Sequence, residues 1–308
     1  MAGHLRENGK AGALVDAQWG VWYKPLQAGP RGKREVAFYE AFFWGGGWGQ
    51  EGGGEEEEEG IFPASAGGAR HPTLGRFVPR FYGQREVTGQ PYLLLEDFTR
   101  IYQKPSIVDI KVGFRTWSPE ANEAAILKCR RKDRATTSAA LGFKICGMQV
   151  FEGACDCYYK ASKNWCKSNV TLPVVAGLLG RFPQNGTGLY AVNVYGGPRG
   201  ALAQLRELEE WFESQTEFHF FSASVLILYE GAAKRAEDAH VQVKLVDFAH
   251  TYWGVGARDD NFLGGIRALR GALSETLEEA LRCEARGARA AEGSPAGAVL
   301  SPPSKAFS

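Results

Sequence analysis

The sequence predicts an α+β fold, with antiparallel sheets, flanking helices and a division into two lobes. Three observations carry this. Short apolar and aromatic runs with strand character recur along the chain, and two of them, 217–230 and 241–248, are joined by a polar Gly-Ala-Ala-Lys-Arg turn as an antiparallel pair is. Segments 34–44, 201–214 and 259–281 instead repeat their apolar residues at helical spacing. At 308 residues the chain can bury one two-lobed domain or two small ones.

In order, residues 1–18 are Gly-, Ala- and charge-rich without periodicity and are expected to be mobile. Trp19 to Leu26 reads as a strand, 27–32 as a Gly/Pro turn, and Arg34 to Trp44 as a helix with Val36, Phe38, Tyr39, Phe42 and Phe43 on one stripe. Residues 45–71 are Gly-rich and contain the acidic run 55–59, whose self-repulsion and ordering cost predict a disordered insertion. Phe77 to Phe81 and Pro91 to Asp97 are further strands, the second ending in Glu96 and Asp97 as a buried strand emerging at a cleft does.

The segment Pro105-Ser-Ile-Val-Asp-Ile-Lys-Val-Gly113 follows. Strand side chains alternate faces, so Asp109 and Lys111 emerge together on a β-rich frame of Ile107, Val108, Ile110 and Val112. An isolated pair of this kind is ordinarily a surface ion pair. Residues 119–139 form a basic helical segment, 143–151 and 158–159 are strand pieces, and 170–179 opens a helix. Leu202, Leu205, Leu208, Trp211 and Phe212 share one face of helix 201–214. Asp259 and Asp260 cap a last helix with Phe262, Ile266, Leu269, Leu273, Leu277 and Leu281 inward, and the tail 285–308 is expected to be loose.

Composition excludes several classes. A net charge of +1 gives no global field toward nucleic acid or membrane. No apolar run reaches membrane-spanning length, and the first residues lack the apolar core of a secretory signal. Six cysteines in so long a chain do not suggest a disulfide scaffold, and Cys155-x-Cys157 is too tight for a usual zinc knuckle. The cysteines are read as reduced and the protein as intracellular.

Acids and bases collect at strand ends: Lys24, Glu96 and Asp97, Asp109 and Lys111, Asp247 and His250. An early-strand lysine that can pair with a glutamate on the next helix neutralises nucleotide phosphates in kinase-like enzymes. The Asp of Val246-Asp247-Phe248 suits a Mg²⁺ ligand. Neither a Walker-type glycine loop nor a protein-kinase His-Arg-Asp loop is present.

Pro105-x-x-x-Asp109-x-Lys111-x-Gly113 is similar to the signature of the inositol polyphosphate kinase family, and the flanking text resembles its multikinase branch in the plant form. The resemblance runs through Lys24-Pro-Leu-Gln27, Arg31-Gly-Lys-Arg-Glu35, Leu94-Leu-Glu-Asp97, Arg115-Thr-Trp117, Lys132-Asp-Arg134, Leu228-Tyr-Glu-Gly231, Asp247-Phe-Ala-His-Thr251 and Asp259-Asp-Asn-Phe-Leu-Gly-Gly265. These span residues 19 to 275 in the family's order.

The resemblance implies a two-lobed fold, protein-kinase-like and ATP-grasp-like, with a small lobe over 19–97, a larger one over 98–284, and ATP with Mg²⁺ between them. It implies Lys24 on the nucleotide phosphates with Glu35 as partner, Glu96 and Asp97 at the adenine hinge, and Asp109 and Lys111 at the reacting phosphoryl group. Asp247 would be the metal ligand and His250 a substrate-side residue. Lys128 and Lys132, four apart in the basic segment, are expected to face an inositol polyphosphate together.

The activity so implied is ATP-dependent conversion of inositol trisphosphate to tetrakis- and pentakisphosphate. The narrower trisphosphate 3-kinase, the hexakisphosphate kinase and a non-catalytic signalling scaffold stand as alternatives. A monomer in nucleus or cytoplasm, with signalling partners but no stable nucleic-acid binding or membrane insertion, is the corresponding expectation. One departure is Ala223-Ser224-Val225-Leu226, where the family often has Ser-Ser-Leu-Leu.

Overall fold

The small sheet is antiparallel, in the order β1-β2-β4-β3. Its strands are β1 (Leu14–Asp16), β2 (Val21–Pro25), β3 (Phe81–Val87) and β4 (Gln90–Glu96). A computed structural model of the chain describes residues 12–44 and 71–292, with side chains as far as 286. Between β2 and β3 lie α1 (Pro30–Trp44) and the single turn α2 (Pro72–Gly75). The stripe read in the sequence is the buried face of α1: Tyr39 stacks on Phe81 at 5.2 Å, and Phe38 on Phe248 at 4.2 Å. The helix therefore ties the small sheet to the second half of the chain.

The larger sheet is also antiparallel, in the order β10-β9-β5-β6-β7. It comprises β5 (Pro105–Val112), β6 (Phe143–Glu152), β7 (Cys157–Ala161), β9 (Ser224–Glu230) and β10 (Gln242–Val246). A separate two-stranded piece pairs β8 (Phe218–Phe220) with β11 (Thr251–Trp253). The signature strand β5 is central, so its side chains are positioned from both flanks. Around the sheet lie α3 (Glu123–Arg134), α4 (Ser138–Leu141), α5 (Lys163–Asn169), α6 (Leu172–Arg181), α7 (Ala191–Val194), α8 (Ala201–Ser214) and α9 (Asp260–Glu292). Leu205, Leu208 and Phe212 of α8 and Phe262, Ile266, Leu269 and Leu273 of α9 are wholly buried. Each such burial stabilises by about 1.5–3 kcal/mol. Among the described residues no helix is long and apolar enough to cross a membrane.

Two glycines set how closely α9 approaches β5. Gly113 has φ +110, and a Cβ there would lie 2.8 Å from Asn261 Nδ2. A Cβ on Gly265 would lie 2.6 Å from Gly142 O and 2.7 Å from Gly113 N. Larger residues would force the helix off the end of the signature strand.

Several expectations are corrected. The mobile N-terminus was drawn to residue 18, but Leu14–Asp16 pairs with β2. The acidic insertion lies outside the described residues except for His71, which stacks on Phe42 and whose Nε2 donates to Glu217 Oε2 at 3.0 Å. The strand expected over 77–81 begins at Phe81, because Phe77 and Val78 turn back on Leu74 O through their amides. The single strand expected over 217–230 is broken at Ser222, whose φ of +59 sends β8 and β9 into different sheets. The last helix runs to Glu292 rather than loosening at 285, and Leu281 is exposed rather than inward. The cysteines are not all reduced: Cys155 and Cys157 form a disulfide across the β6–β7 turn, where the positive φ of Asp156 brings their Cα atoms to 5.2 Å.

Candidate active site

The face of the large sheet that meets the small sheet is a cleft. Trp22 and Lys24 of β2 and Leu95 and Glu96 of β4 line one side; Ile107 and Asp109 of β5, Cys146 and Gly147 of β6 and Leu226 of β9 line the other. Apolar Trp22, Leu95, Ile107, Phe98, Leu226 and Val246 give it walls suited to a flat aromatic group.

At the inner end Lys24, Glu35 and Asp247 converge. Lys24 Nζ lies 2.7 Å from Glu35 Oε1 and 2.6 Å from Asp247 Oδ1. Glu35 is completely buried, and its Oε1 also accepts from Phe248 N at 3.1 Å. Burial opposes the charge on Lys24, but the Asp247 and Glu35 carboxylates outweigh it and raise its pKa well above the ordinary value. Asp247 sits just after β10 with φ +69, a left-handed conformation that turns its half-exposed carboxylate into the cleft.

Asp109 and Lys111 do emerge on one face, as the alternation requires, with Ile110 buried on the other. Burial and the nearby Asp247 carboxylate raise the Asp109 pKa, against the opposing pull of Lys111. Its Oδ1 is buried without a hydrogen-bond partner in the protein. Lys111 Nζ donates to the Ser222 carbonyl, which the positive φ of Ser222 presents. Ser224, the hydroxyl retained where the sequence departs from the family, is paired opposite Lys111 on β9.

The hinge acids divide. Glu96 lines the cleft, but Asp97 is buried and its Oδ1 accepts from Thr99 N at 3.0 Å and Thr99 Oγ1 at 2.5 Å. That carboxylate caps its own turn rather than facing the cleft. His250 lies among Arg31, Arg34 and Lys111; burial first, then these cations, depress its pKa to about 4. Of the two lysines chosen on α3, Lys132 bears electrostatically on Lys144, which stands opposite Lys111 on β6. Lys128 and Lys132 are both exposed on α3. Asp133 is the buried anchor of α3, accepting from Thr116 N at 3.0 Å and Thr116 Oγ1 at 2.8 Å.

The sequence reading missed Arg31, Arg34 and Lys144. Arg31 and Arg34 belong to a quoted motif, but only folding brings the first turn of α1 to His250. Lys144 stands opposite Lys111, but the register shifts between Asp109 and Ile110, so period-two alternation counted from Gly147, the partner of Asp109, points to Ile145 and passes Lys144 by.

An acceptor-rich cleft between two sheets, with a lysine held by a helix glutamate and a basic group beyond it, defines a two-lobed nucleotide-dependent phosphotransferase. The chain belongs to the inositol polyphosphate kinase family, whose model matches residues 92–274. It is 38% identical over 302 residues to inositol polyphosphate multikinase IPK2 of Oryza sativa subsp. indica, covering 91% of this chain and 93% of that protein. A solved inositol phosphate multikinase structure superposes with TM-score 0.62 at 34% identity, covering 78% of this chain and 98% of the other. The Saccharomyces cerevisiae multikinase Ipk2, solved with ADP and Mn²⁺, shares the fold at TM-score 0.64 and 22% identity, covering 83% and 99%.

Proposed function

We propose that this kinase transfers the γ-phosphoryl group of ATP to ring hydroxyls of inositol polyphosphates, carrying inositol trisphosphate through tetrakis- to pentakisphosphate. The observation that carries this reading is the Lys24–Glu35–Asp247 junction facing Asp109, with Lys111, Lys144, Lys132, Arg31 and Arg34 gathered beside it. Phosphoryl transfer asks mainly for positioning and charge neutralisation. The apolar walls would receive adenine, Lys24 the nucleotide phosphates, and the basic group the phosphates of the acceptor.

The donor set fits a hard divalent cation such as Mg²⁺. Asp247 and Asp109 offer oxygens only, their carboxylates repel each other, and Asp109 Oδ1 is an unsatisfied buried acceptor. Bound there, the ion would neutralise charge on the transferring phosphoryl group. Lys111 reaches the same face and can stabilise that charge from the acceptor side. His250, held neutral, can hydrogen-bond the acceptor without carrying charge of its own.

Incubation with ATP, Mg²⁺ and inositol trisphosphate, followed by chromatographic separation, tests the proposal. Tetrakis- and then pentakisphosphate are expected. A single added phosphate points to the narrower 3-kinase, and ATP binding without turnover to a non-catalytic scaffold.

A further inference from the structure

The charges lining the nucleotide side of the cleft leave an imbalance. Its described charged residues are Lys24 and Lys163 against Glu96, Asp109 and Asp247. Lys24 is committed to two carboxylates within 2.7 Å, so it brings little surplus positive charge. Lys111 is on the same sheet face but donates to the Ser222 carbonyl. A triphosphate carries more negative charge than one divalent cation cancels, so the site needs another cation that is not already spoken for.

Lys163 answers this description. It opens α5, immediately after the edge strand β7, and it is exposed into the cleft. Its position follows from the sheet register. Asp109 pairs with Gly147 on β6, and the adjacent Met148 pairs with Ala161 on β7. Two strand spacings, about 10 Å, separate the β5 and β7 backbones, a span a lysine side chain largely bridges. Ser162 fixes the entry to α5 by accepting from Trp165 N at 3.2 Å, which sets the direction of the next residue. Lys163 thus approaches Asp109 from the side opposite Lys24 and Asp247, and it acts electrostatically on that carboxylate. Among the described residues its ammonium makes no side-chain hydrogen bond or ion pair within 4 Å.

We propose that Lys163 binds the phosphate chain of the nucleotide, closing the cleft from the β7–α5 corner opposite Lys24. This rests on the ATP-dependent reading above. Without nucleotide the ammonium acts on Asp109 only weakly, after Lys111. With nucleotide bound it turns to the phosphate oxygens while the divalent cation takes over the carboxylates. Basic residues on α3 and α1 serve the acceptor, so Lys163 separates in function from Lys111, Lys132 and Lys144.

The test compares wild type with Lys163→Gln and Lys163→Arg, titrating Mg²⁺-ATP and uncharged adenosine calorimetrically and measuring KM for inositol trisphosphate. Lys163→Gln is expected to weaken ATP binding roughly tenfold or more, as loss of one charged hydrogen bond does. Adenosine affinity and the acceptor KM should hold, and Lys163→Arg should retain most ATP affinity. Unchanged ATP binding overturns the assignment. So does an equal loss for adenosine, which marks a structural role, or a loss confined to the acceptor KM. A wild-type protein that binds no ATP overturns the underlying reading instead, and is recognised without any variant.

Discussion

The Lys24 ammonium lies 2.7 Å from the Glu35 carboxylate, and that carboxylate is completely shielded from water. β2 and α1 are thereby locked to each other, and Phe248 N, donating to the same oxygen, locks both to the larger lobe. A buried charge without its partner is far more costly than the pair.

Lys24→Met should therefore destabilise the protein by about 3–5 kcal/mol, with the Glu35 carboxyl left in a dry site without its cation. Urea unfolding measures this. Adding Glu35→Gln, whose amide oxygen can still accept from Phe248 N, should recover part of the loss without restoring phosphoryl transfer. If the single and double variants unfold alike, the pair does not hold the lobes as described.

Asp247 plays a different part, because its side chain is 45% exposed and its loss leaves no buried charge behind. Its φ of +69 favours Asn over Ala as the replacement. Asp247→Asn should keep the melting temperature within a few degrees while kcat falls about a hundredfold or more, the scale seen when one stabiliser of transition-state charge is removed. Turnover near the wild-type level would remove Asp247 from the proposed metal site.

Lys132 and Lys128 are one helical turn apart and both exposed, and Lys132 bears electrostatically on Lys144. Lys132→Ala should raise KM for inositol trisphosphate roughly tenfold with KM for ATP unchanged, the size of one charged hydrogen bond to phosphate. Lys128→Ala should change either constant by less than about twofold. Equal effects of the two substitutions would show that α3 presents its whole basic face to the acceptor.

What the sequence made legible depended on range. The signature strand and the amphipathic faces of α1 and α8 follow from local periodicity and were placed within a few residues, and the antiparallel pairing of β9 with β10 was read from the same local pattern. The Asp259 cap was legible for the same reason: its Oδ1 accepts from Phe262 N at 2.9 Å. The break at Ser222 was not, because Phe220 to Tyr229 is an unbroken apolar and hydroxyl run whose turn relies on a positive φ at a non-glycine residue. In the site, Lys24 and Glu35 are close in sequence and were paired correctly, whereas Asp247 reaches Lys24 across 223 residues. Arg31, Arg34 and Lys144 escaped notice because their role comes from what the tertiary fold sets beside them. Asp97 shows the converse: an acid at the end of a strand looks like a site residue until its bonds to Thr99 are seen.

His250 gives the fold a signature in pH. Its pKa is depressed from 6.5 to about 4, by burial and then by Arg31, Arg34 and Lys111. The unfolded chain thus binds a proton at a pH where the folded chain does not. Stability carried by this group is fully present above about pH 6.5 and is lost progressively as pH falls toward 4. Unfolding free energies at a series of pH values should therefore decline across that window, and His250→Gln should flatten the decline while leaving the carboxylate-driven loss below pH 4 in place. A bound polyanion among Arg31, Arg34 and Lys111 offsets the cations that depress the pKa. Saturating inositol trisphosphate should accordingly move the His250 titration, followed by NMR of the imidazole, upward toward its ordinary value. A titration already near 6.5 in the free protein would show that neither burial nor the three cations act on the ring as described.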